Sequence, residues 1–288
     1  MELGSVGVWS GELRFGDAGA AAEMAAELES LGYGALWYPA GAEGAFAAAE
    51  ALLSATDHVV VATGILSVWS HDAAATAAAH HQLTHAHPGR FLLGLGISHG
   101  PLVDRDEPGR YHQPMATLTA YLDRLDAASP PVPVDERIIA ALGPRMLELA
   151  RRRSAGSHPY LVTPEHTKAA RELLGGSALL APEQAVLVET DPTRARATGR
   201  HHLEIYLGLP NYVNNWRRLG FTDDDFTGGG SDRLVDSLVA WGDAESVANR
   251  VGAHLDAGAD HVCIQALGGA DRAPSLPTWR ALAEVLMS

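Results

Sequence analysis

The residues with most chemical potential lie in the stretch FLLGLGISHG, residues 91–100. Gly94-x-Gly96 opens like a dinucleotide fingerprint, but the third glycine would fall at position 99, which is His99, and the pattern fails there. Gly96-Ile97-Ser98-His99-Gly100 also matches the nucleophile elbow of serine hydrolases. An elbow runs straight into a helix, whereas Ser98 is followed by Pro101 and a stretch without helical periodicity, so hydrolysis is the weaker reading. The histidines of HHQLTHAH place His81 and His85 four residues apart, but no third ligand is marked, and no metal is expected. Arg145, Arg151, Arg152 and Arg153 precede Ser154-Ala155-Gly156-Ser157-His158-Pro159-Tyr160, where backbone N–H groups around Gly156 and Ser157 could hold a phosphate. The other reading of these arginines is a solvated helix end. Cys263, alone in its chain and on an apolar run, is expected to pack.

The elements that must position these residues alternate between short β-branched runs and Ala-rich helical stretches, as parallel strands joined by helical crossovers do. Strands are expected at 5–10, 35–39, 59–66, 91–98, 137–141, 155–161 and 260–266, with a weaker one near 178–188. Asp17 and Asp243 are expected helix N-caps, with Gly32 and Gly258 as stops. Strands that are apolar on both faces fit a buried parallel sheet. Residues 201–241, with Pro210 and Gly228–Gly230, are too long for an αβ connection and are expected to form a helical insertion before the last strand.

A 288-residue chain with 47% apolar and 19% charged residues can build one large core. We expect one α/β domain, a (β/α)8 TIM barrel, spanning the chain. A net charge of −14 disfavours nucleic acid and anionic membranes as partners, which need a basic surface. One cysteine, no leader-like N-terminus and no long apolar run point to a cytoplasmic protein.

The segments LGYGALWYP (31–39), VVVATGILSVWSHDA (59–73), GRFLLGLGISHGPLVDR (89–105), SAGSHPYLVTPEHTKAAR (154–171) and GDAESVANRVGAHLDAGADHVCIQAL (242–267) together resemble the coenzyme F420-dependent oxidoreductases of the luciferase-like monooxygenase superfamily. The resemblance implies a barrel that holds a deazaflavin at the strand C-terminal ends and exchanges a hydride with a small organic substrate. FMN with oxygen chemistry is the alternative, and a cofactor carrier with little turnover a further one. It further implies a bulge, often with a non-proline cis peptide, at Thr63, Gly64 and Ile65 behind the ring. Gly96, Ile97 and Ser98 would flank the cofactor side chain, and Gly156, Ser157, His158 and Pro159 its phosphate. A homodimer is the family expectation. The acidic residue or His that many relatives carry after the second strand is replaced here by Ala40 and Gly41, and an Arg-Asp pair by His71-Asp72. His99 and His71 are then the expected proton donors, since imidazole titrates near neutral pH. Trp37, Tyr38 and Trp69 are expected to line the substrate pocket.

Overall fold

The computed structural model describes residues 1–41, 43–268 and 276–287. Among the described residues ten strands are formed: β1 Val6–Trp9, β2 Ala35–Ala40, β3 Val60–Ser67, β4 Phe91–Gly96, β5 Arg137–Ile139, β6 Gly156–Ser157, β7 Leu179–Leu180, β8 Glu183–Val188, β9 Val239–Gly242 and β10 Val262–Ala266. All pair in parallel, in the order β7-β6-β5-β4-β3-β2-β1-β10-β8-β9. β7 pairs with β6, and β8, which begins after only Ala181 and Pro182, pairs with β10 at the other arm of the sheet. The sheet therefore curls round on itself. Ala181 N donates to Ser157 O at 2.9 Å while Cys263 N donates to Pro182 O at 3.0 Å, so this short stretch is bonded to both arms.

Helices alternate with the strands because local caps and stripes agree. Asp17 accepts from Ala20 N, Asp72 from Ala74 and Ala75 N, and Asp243 from Ser246 N, each cap worth about 1 kcal/mol. Gly32 and Gly258, at φ +95° and +101°, turn the chain out of the helices Ala18–Ser30 and Ala244–Asp256.

Alternate strand residues enter two different cores. Leu36, Tyr38, Val61, Leu93, Ile139 and Ile264 face the helices, whereas Ala35, Trp37, Ala62, Leu92, Ile138 and Cys263 fill the concave side. Both sides are buried, which is why the strand sequences read as unbroken apolar runs.

Several boundaries differ from expectation. The strand expected at 155–161 stops at Ser157, because Pro159 lacks a ladder N–H and Leu161 is left-handed at φ +52°. The stretch 178–188 is split by Ala181 and Pro182. The excursion begins with the helix Pro192–Leu207, continues through Pro210–Arg218 and Asp232–Leu238, and ends not in helix but in β9, which pairs outside β8. It has its own core, in which Leu203, Tyr212, Trp216, Leu234 and Leu238 pack with Leu161 and Leu187. The stretch after Ser98, expected to be irregular, forms the helix Gly100–Asp106. Among the described residues no helix is long and apolar enough to cross a membrane.

Candidate functional site

A cavity of about 980 Å³ opens where the strands end, as the C-terminal rim of parallel sheets favours. One wall is the distorted middle of β3. Its pairing with β4 jumps from Ala62–Leu92 to Leu66–Leu95, leaving Thr63, Gly64 and Ile65 out of register, and the Gly64–Ile65 peptide is cis. Thr63 repairs the ladder with its side chain: Oγ1 accepts from Gly94 N at 2.7 Å and donates to Gly94 O at 2.9 Å. Thr63 is fully buried and staples the bulge, while Gly64 and Ile65 reach the cavity.

Three glycines make this wall possible. A Cβ on Gly94 would lie 1.8 Å from Thr63 O, one on Gly96 2.5 Å from Ile65 Cδ1, and one on Gly64 2.4 Å from Trp9 Nε1. Gly96, Ile97, Ser98 and His99 continue the wall beyond β4. Ser98 is left-handed at φ +52°, and with a helix two residues later the elbow geometry is present after all. Among the described residues no imidazole bonds its hydroxyl, so the base a hydrolase needs is missing.

The imidazoles part company. His99 faces the cavity with Nδ1 3.2 Å from Asn211 Oδ1, and burial lowers its pKa. His71 lies outside the cavity lining, its Nδ1 3.1 Å from Ser67 O. His158 reaches the floor; burial pushes it down to about 4, its Nδ1 lies 2.7 Å from Ala181 O, and its Nε2 has no partner. Nδ1–H must then donate to that carbonyl.

Two expected pocket aromatics are elsewhere. Trp37 is fully buried on the concave face below the cavity, stacked on His158 at 4.4 Å with Nε1–H donating to His261 Nε2. Tyr38 is on the opposite face of β2, toward the helices, donating to Ala45 O. Trp69 does line the cavity and donates to Ile97 O at 2.7 Å. Of the segment expected to hold a phosphate, only His158 reaches the cavity lining. Gly156 and Ser157 are buried in β6, and Gly156 is a glycine because a Cβ would lie 1.8 Å from Leu179 O. Neither Gly156, Ser157 nor Pro159 lines the cavity.

The arginine patch divides along its helix. Arg145 lies in the first turn of Pro144–Arg153, at the strand C-terminal end, and lines the cavity. Arg151, Arg152 and Arg153 lie about 9–12 Å further along by helical rise, paired with Glu148, Asp123 and Asp126. Around the cavity mouth Arg145 is joined by Arg105, Arg110 and Arg218, with no Asp or Glu in the described lining. Arg110 is paired with Glu107 and also donates to Trp69 O, whereas no ion pair engages Arg145 or Arg218 among the described residues.

A second stretch of wall, which meets the bulge at Trp9, is aromatic and went unforeseen. Trp9, Tyr160, Tyr206 and Tyr212 have neighbouring ring centroids 5.0–6.4 Å apart. Tyr206 and Tyr212 come from the excursion; their density in a segment that breaks the strand–helix rhythm was the available signal. Nothing in the sequence tied them to Tyr160. The cavity can thus take a flat ring against the bulge, an anionic tail toward the arginines, and a second organic molecule against the tyrosines.

Residues 4–261 match the family described as luciferase-like monooxygenase. No curated protein matches the chain. Among solved structures, it is similar to the coenzyme F420 dependent tetrahydromethanopterin reductase from Methanopyrus kandleri (TM-score 0.76, 15% identity, covering 99% of this chain and 98% of that one). It is similar too to an F420-dependent secondary alcohol dehydrogenase in complex with an F420-acetone adduct (0.69, 17%, 98% of each chain). A third is the FMN-bound oxygenating constituent of 3,6-diketocamphane monooxygenase from Pseudomonas putida (0.68, 15%, 97% and 96%). At these identities the likeness is one of fold.

Proposed function

The chain belongs to the luciferase-like monooxygenase family, and on that footing we propose that it is a coenzyme F420-dependent oxidoreductase that moves a hydride between the deazaflavin and a small organic substrate. The observation that carries this reading is the cavity's charge. In a chain of net −14, the described lining holds four arginines and no carboxylate. Such a focused positive field attracts an anionic ligand into an otherwise acidic molecule. FMN offers one phosphate; the deazaflavin adds a carboxylate-bearing tail, which better matches Arg145 and Arg218 together with Arg110.

When bound, the cofactor would supply a hydride donor or acceptor carbon, and the protein would position and polarise. Gly64, Ile65 and Gly96 present a flat backbone wall for a ring, Ile97 and Ser98 its side chain, and Arg145 and Arg218 its anionic end. Trp69 and the three tyrosines exclude water from the reacting face. His99, kept neutral by burial and donating from Nδ1 to Asn211, leaves Nε2 as an acceptor, which suits it to take a proton in the oxidising direction.

We read the fold as one (β/α)8 barrel domain in which β7 and β8 count as a single strand interrupted at Pro182, with the excursion before the last strand. A cytoplasmic homodimer is the associated proposal, checked by sedimentation. The deciding experiment is titration of the purified protein with F420 and with FMN, by fluorescence and calorimetry. Micromolar or tighter F420 binding supports the proposal; binding of FMN alone moves the reading to the monooxygenases, and binding of neither overturns it.

A further inference from the structure

One ionisable group stands directly behind the aromatic wall. Glu183, at the start of β8, is 0% exposed. Its Oε2 accepts the Leu161 N–H at 3.0 Å, and its Oε1 has no partner. Leu161 follows Tyr160, so the carboxyl anchors the turn that holds the Tyr160 ring in the cavity. Tyr160 donates to Gln265 Oε1 at 2.6 Å, and Tyr206 donates to Tyr160 at 3.2 Å. Both hydroxyl-bearing residues line the cavity.

The groups facing Glu183 come from four elements: Tyr160 beyond β6, Cys263 on β10, Tyr206 on Pro192–Leu207 and Tyr212 on Pro210–Arg218. A charge on Glu183 would raise the pKa of each of them. His158, 3.8 Å from Cys263 Sγ, is held neutral by burial. No arginine or lysine touches the carboxyl among the described residues. Without a counter-charge, burial pushes Glu183 up to about 8, so it carries a proton at neutral pH. His99, by contrast, is driven toward its neutral form and is a poor acid.

We propose that Glu183 is the proton reserve of the cavity and supplies, through the hydroxyls of Tyr160 and Tyr206, the oxygen of a carbonyl substrate. This rests on the hydride-transfer reading above. As hydride from the reduced cofactor adds to the carbonyl carbon, the C=O π pair moves onto oxygen. That oxygen takes the Tyr206 proton, Tyr206 takes the Tyr160 proton, and Tyr160 takes the Glu183 proton. Glu183 is left as carboxylate and is reprotonated from solvent before the next turnover. In the resting arrangement Tyr160 donates to Gln265 and Glu183 Oε1 has no partner, so the Tyr160 hydroxyl must swing to Tyr206 and the Glu183 carboxyl must rotate toward Tyr160 for the relay to run. Glu183 is a positioning and proton-holding residue; Tyr206 is the group that meets substrate.

The test uses the full chain with Glu183→Gln, which keeps an acceptor for the Leu161 N–H, and Tyr160→Phe, which keeps the ring. Infrared difference spectra without cofactor should show a protonated carboxyl at pH 7 that disappears in Glu183→Gln, titrates at about pH 8, and shifts in Tyr160→Phe. With reduced F420 and a panel of ketones and aldehydes, Glu183→Gln should slow single-turnover reduction roughly 10²-fold and abolish the loss of rate above pH of about 8, leaving KM unchanged. An ionised carboxyl at pH 7, a band indifferent to Tyr160→Phe, or a variant with wild-type rate and pH profile overturns the proposal. If F420 fails to bind, the hydride-transfer reading falls by itself, and the infrared result alone decides whether the proton reserve exists.

Discussion

Mild acid should weaken this protein by an amount the buried histidines set. His158, His254 and His261 are 2%, 0% and 0% exposed, and burial is the first cause pushing them down to about 4, about 3 and about 4. In the unfolded chain each titrates near 6.5. Their stabilisation is complete above that value and is lost as the pH falls toward the folded values. Between pH 7 and pH 5 each histidine then costs about 2 kcal/mol, because the unfolded form takes a proton that the folded form refuses. His80 and His202, also pushed down to about 4, are left out: Glu136 Oε2, 3.2 Å from His80 Nε2, would meet a proton there, and His202 is only half-buried, where solvent screens the charge. Glu183 works in the opposite sense. Its folded pKa is raised, so its contribution is present at low pH and lost as the pH rises through about 8. The same acidification regains about 2.5 kcal/mol from it. The net loss is about 3 kcal/mol, and with an unfolding entropy of about 2.1 cal/mol/K per residue this lowers Tm by about 5 °C. Thermal scans by circular dichroism at fixed ionic strength, at pH 7 and pH 5, measure it. Glu183→Gln should nearly double the drop, to about 9 °C. A Tm that holds or rises on acidification, or an equal slope in the variant, refutes the reasoning.

Arg145→Ala and Arg218→Ala should each weaken F420 binding about 5- to 10-fold, with the loss shrinking at high salt, as expected for exposed cations meeting an anion; titration at two ionic strengths checks this. Gly64→Ala should displace Trp9 from the wall, since the new Cβ would start 2.4 Å from its Nε1. Overpacking of this kind costs about 1–3 kcal/mol, read by thermal melting beside cofactor titration. Ser98→Ala should leave turnover within about twofold of wild type and serine-directed probes should label nothing, because among the described residues no imidazole bonds that hydroxyl.

The strand rhythm was readable because parallel strands buried on both faces leave unbroken apolar runs, and the bulge could be placed because Thr63-Gly64-Ile65 lies in VVVATGILSVWSHDA, one of the segments that carry the family resemblance. What could not be read was which face of a strand a residue takes. Trp37 and Tyr38 are neighbours, yet one enters the concave core and the other the helical layer, and a one-residue change of phase exchanges them. The two readings of the arginines divide along one helix: Arg145 lines the cavity, while Arg151, Arg152 and Arg153 form its ion-paired far end. Gly156 was read as a backbone approach to phosphate, but its approach is to Leu179 of the next strand. The tyrosine wall depends on contacts across 46 residues of sequence, between Tyr160 and Tyr206, which no local pattern encodes.

The separate core of the excursion makes the cavity a vessel with one permanent side and one replaceable side. The bulge, with Thr63 bonded to Gly94 and three glycines in close contact, tolerates almost no change without disturbing the sheet. The tyrosine side is carried by helices that pack mainly on one another and on β8 and β9. Residues there can be exchanged in blocks while the sheet keeps its shape. Descent and laboratory selection alike would therefore reshape the cavity through 192–238 long before they alter its bulged side.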